Sequence, residues 1–196
     1  MGGRKPTSKI GARAEAAPAP GQPGGGEVAV GVMTFADIDP VAWMLANEFP
    51  LYLARRSDAA DGHVEFLFRR SDEAVAKMED FYQPVTGEAR IAEKYFAQQL
   101  FLRRRDGPLA DGSEGYSTDR LDVAAWLRLV NVPYVGRRQT GSGWEYVFEN
   151  GPALGSLIDA FHRPDRPDAV VVRRISEEQF KVRQMKKAFR GNDGGV

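Results

Sequence analysis

The chain has 196 residues, enough for one sizeable core or for two small cores that share an interface. Its 27 Lys and Arg balance 27 Asp and Glu, so it carries no net charge that would by itself commit it to a polyanion. It has no cysteine, which excludes disulfides, thiolate metal sites and a cysteine nucleophile, and no apolar run approaches the ~20 residues that span a bilayer. Residues 1–30 lack the apolar stretch of a secretory signal, and Pro6 stands where a myristoylation signal needs a hydroxyl. The expected location is the cytoplasm, or the host cytoplasm if the chain is phage-encoded.

Residues 1–33 form a tail rich in Gly, Pro and Ala with scattered cations. Such a segment buries too little apolar area to offset its ordering entropy and is expected to be disordered. It reads either as a solvated leader or as a basic arm that touches a partner.

From Asp39 the chain states a pattern that it states again from Asp122. Asp39, Ala42, Trp43, Pro50 and Arg55 recur without a gap as Asp122, Ala125, Trp126, Pro133 and Arg138. With three residues lost in the next turn, Val64, Glu65, Phe66 and Phe68 answer to Trp144, Glu145, Tyr146 and Phe148, and Met78 and Phe81 to Ile158 and Phe161. Four residues gained around 163–167 then place Arg90, Ile91, Glu93 and Phe96 against Arg174, Ile175, Glu177 and Phe180. Matches that keep their order predict an internal duplication, with repeat units at 34–105 and 116–190, a linker at 106–115 and a disordered tail at 191–196.

Each unit opens on a helix. Asp39 before Pro40 reads as an N-cap with proline at the first helical position, and the helix ends before Pro50. In the second unit Val123, Trp126, Leu127 and Val130 share one face, so both tryptophans are expected to anchor cores; stacking on a nucleobase is the other use of an indole. A β-hairpin follows. Gly141-Ser142 as its turn in the second unit puts Val135, Trp144, Tyr146 and Phe148 on one face and Arg138 opposite Glu145. The same register across the Ser57–Gly62 loop puts Arg55 opposite Glu65, so the repeated arginine is explained by a cross-strand ion pair without a phosphate ligand.

A second helix is expected over about Asp72–Tyr82 after a Ser71 cap, and over about Pro152–His162. The β-branched run at Val170–Val172 suggests a third short strand at Val170–Ile175, matched by Ala89–Ile91. A third helix closes each unit, opened in the second by a capping box of Ser176 and Gln179. The fold class is therefore α+β, in two tandem repeats. Each repeat runs helix, β-hairpin, helix, strand, helix, with helices packed on a small sheet.

Chemistry is scarce. The chain has no phosphate-binding glycine loop, and Gly24-Gly25-Gly26 lies in the tail with no strand before it. His63 and His162 occupy non-equivalent places without further ligands at metal spacing, so no metal and no cofactor are implied. Asp37 with Asp39, and Asp119 with Asp122, sit at helix entries, where capping explains them better than acid–base work. No catalytic residue is indicated, and the chain reads as a non-enzyme.

The third helices carry the best functional signal, because both finish in cations. Arg103, Arg104 and Arg105 end the first, while Lys181, Arg183, Lys186, Lys187 and Arg190 line the second beside an apolar side of Val182, Met185 and Phe189. One or two such charges complement a helix C-terminus; three or more at each end also suit the phosphates of DNA or RNA. The D-x-x-A-W opening at Asp39–Trp43 and the aromatic strand Val64–Phe68, in that order of elements, resemble a small domain of unknown function met in phage and bacterial proteins. The resemblance covers 34–105 and again 116–190, departs from the single-copy form by carrying two, and implies a phage or mobile-element setting but no activity. Two functions are expected from these observations. One is a nucleic-acid-binding accessory protein using those eight cations; the other is a protein-interaction or virion-structural module that self-associates or binds a protein partner.

Overall fold

The computed structural model describes residues 31–58, 63–104, 112, 114–141 and 143–191, apart from the side chains of 190 and 191. The first half runs β1 (Val32–Phe35), α1 (Ile38–Ala46), β2 (Leu51–Arg56), β3 (Val64–Arg69), α2 (Asp72–Tyr82) and α3 (Gly87–Arg103). The second repeats that order as β4 (Tyr116–Thr118), α4 (Leu121–Leu129), β5 (Tyr134–Thr140), β6 (Gly143–Phe148), α5 (Leu154–His162) and α6 (Pro167–Gly191). Each half has an antiparallel sheet with its third strand in the middle, in the orders β1-β3-β2 and β4-β6-β5. The fold is α+β, and no helix among the described residues is long and apolar enough to cross a membrane.

The hairpins have the expected register, with Arg55 opposite Glu65 and Arg138 opposite Glu145. Both carry an irregularity at the same place, between Leu51 and Leu53 and between Tyr134 and Gly136. Val64, Phe66 and Phe68 are buried, as are Tyr146 and Phe148, while Trp144 near the hairpin tip stays 38% exposed. Val135 falls in the irregularity of its strand and is half-buried. Trp43 and Trp126 are the largest buried side chains, and each indole N–H donates to a carbonyl of the following helix, Lys77 O at 3.0 Å and Leu157 O at 2.9 Å. That bond is what lets so large a heterocycle go inside at no polar cost.

The third strand lies elsewhere than expected. It precedes the first helix, as β1 and β4, whereas Ala89–Ile91 and Val170–Ile175 are helical. Helix periodicity outweighs β-propensity there: Ala169, Val172, Ile175, Gln179 and Val182 recur at three- and four-residue steps and are all buried. The first strand begins at Val32, inside the stretch assigned to the tail. Ser176 and Gln179 consequently stand in the middle of α6 and form no capping box. Residues 163–167 hold no insertion either, since the buried positions Ala89, Ala92, Tyr95, Gln99 and Leu102 of α3 match Ala169, Val172, Ile175, Gln179 and Val182 of α6 at constant spacing.

Caps were legible only in part. Ser71 accepts from Ala74 N at 3.1 Å, as expected, but α1 starts at Ile38, so Asp39 is its second residue and Asp37 the N-cap. Pro40 is tolerated because it still lies within the first turn, where backbone N–H groups have no helical acceptor. α5 begins at Leu154, after a turn that includes Pro152.

The halves interlock. α1 packs on α6 and α4 on α3, so the opening helix of each half lies against the closing helix of the other, and α3 crosses α6. One continuous core of buried residues runs through both halves, from Val41 and Phe66 to Phe161 and Val182. A three-stranded sheet of this size has little core alone, and the exchange of closing helices supplies the missing cover.

Candidate functional site

The cations at the ends of the closing helices do not form a single exposed patch. Arg103 donates to Gln99 Oε1 at 3.3 Å, Lys181 pairs with Glu178 at 2.6 Å, and Lys186 donates to the carbonyl of Ala36. Arg183 is half-buried, and its Nη2 is sealed from solvent without a partner among the described residues. Arg104 and Lys187 are exposed. Arg105 and the side chain of Arg190 lie outside the described residues. The duplicated hairpin arginines are occupied by their own strands, Arg55 with Glu65 at 3.1 Å and Arg138 with Glu145 at 2.8 Å.

Where α3 crosses α6, a polar seam is buried in an otherwise apolar core. Gln99 Nε2 donates to Gln179 Oε1 at 2.9 Å, and Gln179 Nε2 returns a bond to Gln99 Oε1 at 3.1 Å while reaching Asp39 Oδ1 at 2.7 Å. On the other side, Ser176 Oγ donates to Asp122 Oδ2 at 2.8 Å. Burial raises the Asp122 carboxyl pKa, but hydrogen bonds from Arg120 and Ser176 and the charge of Arg120 outweigh it, and the net shift is downward. Tyr95 lies among these groups with its hydroxyl buried; burial, with the charge of Asp122, pushes its pKa far up and keeps it protonated.

The starts of the helices hold the feature that the sequence reading overlooked. Arg120, N-cap of α4, grips Asp122 with both arms of its guanidinium: Nε to Oδ1 at 3.2 Å and Nη2 to Oδ2 at 2.7 Å. Its Cζ stands 5.8 Å from the centroid of the Phe161 ring. Arg166, just before α6, repeats the fork on Asp168 at 3.1 and 2.7 Å, with its Cζ 5.8 Å from the Trp126 ring. In both, the gripped carboxylate also accepts the next backbone N–H, from Val123 and from Ala169. The signal was present in the sequence as D-R-x-D at 119–122 and again at 165–168. The first half has no counterpart, because Asp37 and Thr86 occupy the two arginine positions.

At the start of α1 there is instead an open cleft of about 420 Å³, with Asp37, Asp39, Phe81, Tyr82, Arg103 and Lys186 among its walls. Asp37 holds the N-cap position, yet its side chain caps nothing. The cleft thus gathers one cation from each closing helix, facing two aspartates, and its charges cancel. Among the described residues no three His, Cys, Asp or Glu side chains gather as a metal site would require.

Comparison with known proteins adds no identity, since no family model, curated protein or solved structure matches the chain.

Proposed function

We propose that the protein is a non-enzymatic protein-interaction module, in which two interlocked halves hold a recognition cleft on a rigid base. The observation that carries this reading is the state of the cations. Arg103, Lys181 and Lys186 are engaged within the chain, and the place where two of them meet is neutralised by Asp37 and Asp39. A phosphate backbone is drawn to uncompensated Lys and Arg, whose binding releases counterions. A neutral cleft with an aromatic wall suits a side chain of a protein partner better.

Nucleic-acid binding stands as the second reading, supported by the exposed Arg104 and Lys187. Titrating the protein against duplex and single-stranded DNA and RNA over a range of salt separates the two. The module reading expects no retention at physiological salt and no effect of K186A/K187A. Retention that weakens steeply with rising salt and falls in that variant would overturn it. On the module reading, light scattering with co-purified partners should give a complex that persists in high salt.

A further inference from the structure

We propose that the cleft at the start of α1 receives a guanidinium group, the arginine side chain of a partner protein. This deepens the module reading and rests on it only for the source of the arginine. The argument comes from inside the molecule, where the second half shows the same place filled. Asp37 and Arg120 are both N-caps of the first helix of their half, and Asp39 and Asp122 are both the second residue of that helix. Phe81 and Phe161 correspond equally closely: their rings stand 6.2 and 6.4 Å from Trp43 and Trp126, with the same 39° tilt. They meet Tyr82 and His162 edge-on at 5.0 and 5.4 Å. In the second half the space between carboxylate and ring is occupied by the Arg120 guanidinium. In the first half the carboxylate and the ring are kept, the arginine is replaced by a second acid, and the space is the open cleft.

The fold therefore displays its own ligand. It builds this fork twice with its own arginines, at Asp122 and at Asp168, and in each case an aromatic ring lies within reach of the planar cation. The first-half acids are available for the same contact. Asp39 accepts from Gln179 through Oδ1, and neither Asp37 nor Asp39 makes an ion pair among the described residues. Of the cations on the cleft wall, Arg103 donates to the Gln99 amide oxygen and Lys186 to the Ala36 carbonyl. Asp37 and the half-exposed Tyr82 ring line the same cleft. A guanidinium fits such a site better than an ammonium, because it is planar, weakly hydrated, and can fork to a carboxylate while stacking on an aromatic face. The wall cations weaken the attraction, and an isolated arginine is expected to bind with a Kd on the order of millimolar, the range of a single small contact.

The test titrates three short capped peptides, identical but for a central arginine, lysine or citrulline, into the full chain. Amide NMR shifts of Asp37, Asp39 and Tyr82 are followed. The arginine peptide should move these signals saturably, with the lysine and citrulline peptides at least about tenfold weaker, as loss of the fork and of the charge respectively implies. Asp37→Arg should close the cleft from within, abolish peptide binding and raise the melting temperature. Should that variant fold poorly, Asp39→Asn must abolish binding instead. An equal response to all three peptides, or undiminished binding in both variants, would overturn the proposal. Absent peptide binding with no nucleic-acid retention removes this site and leaves the module reading; peptide binding beside salt-sensitive retention removes the module reading and leaves the site.

Discussion

The starts of α1 and α4 are the same structure with opposite endings. Both place an aspartate at the second helical position, a tryptophan one turn on and a phenylalanine from the next helix against that tryptophan. At the N-cap, one half has an arginine that seals the joint and the other an aspartate that leaves it open. Where the order of elements recurs, the two halves part at single positions. Packing demands the tryptophan and the phenylalanine in both halves; nothing in the packing demands the residue at the cap, so that residue is where the halves can differ in function.

The largest way to break the comparison is to remove a tryptophan. Trp43→Ala and Trp126→Ala should each cost roughly 3–5 kcal/mol, because each deletes one of the largest buried side chains and leaves a cavity in the core. Since α1 lies on α6 and α4 on α3, both variants should still unfold in one transition in urea, followed by fluorescence and circular dichroism together. Two separated transitions in either variant would mean that the halves are independent domains and that their reciprocal packing is incidental.

The buried amides come next. Gln99 and Gln179 are matched positions on the closing helices and bond to each other in both directions. Truncating Gln179 takes the acceptor from the buried Gln99 Nε2, while Gln99 Oε1 keeps its bond from Arg103, so Gln179→Leu should cost roughly 1–3 kcal/mol. The paired variant Gln99→Leu with Gln179→Leu should recover part of that loss, and denaturant melts of the two single variants and the double one measure the coupling. The recovery should be incomplete, because Asp39 also loses the Gln179 donor.

The acid at the start of α4 makes a contribution that pH can read. Asp122 has a lowered folded pKa, so its ionised form stabilises the fold at pH values above the carboxyl pKa of the unfolded chain. That contribution is lost as pH falls through the folded value, where both states become protonated. Asp122→Asn should therefore lose on the order of 1 kcal/mol at neutral pH, the difference between a charge-assisted and a neutral hydrogen-bond set. The deficit should shrink as the pH falls below about 4, near the ordinary carboxyl value. A deficit that is constant across the acid range would show that the charge of Asp122 contributes nothing.

These differences were unevenly legible beforehand. The duplicated D-x-x-A-W stretch indicated both tryptophan anchors and the pairing of Arg55 with Glu65, because those depend on local spacing and on a hairpin's alternation. The first strand was missed because Val32–Phe35 and Tyr116–Thr118 are short and gain their meaning only from pairing with β3 and β6, far along the chain. Val170–Val172 misled in the opposite sense, since a β-branched run is compatible with a helix whose buried face needs bulk. The closing cations were visible as composition; Gln99 and Glu178 stand within a helical turn of Arg103 and Lys181, but the Ala36 carbonyl that Lys186 reaches belongs to tertiary structure. D-R-x-D was written twice in plain view; what could not be read was that its absence at Asp37 leaves a cleft.

The smallest comparison is between the turns that leave the two opening helices. Glu48 and Asn131 occupy the same place, one residue past the cap, and both have left-handed backbone angles, φ 65° and φ 62°. The chain reverses there onto the next strand: Phe49 N bonds back to Met44 O and Val132 N to Leu127 O, so neither turn can relax its φ without losing a helix-end bond. Asparagine tolerates this conformation, because its short polar side chain makes local hydrogen bonds, whereas glutamate has no such relief for the contact between its Cβ and the backbone. Glu48→Asn should therefore stabilise the protein by up to about 1 kcal/mol, and Asn131→Glu should destabilise it by a similar amount. Glu48 is exposed, so removing its side chain disturbs no packing and the gain reports the backbone alone. Paired thermal melts would measure it, and equal melting temperatures for all three proteins would show that the two turns carry no strain difference.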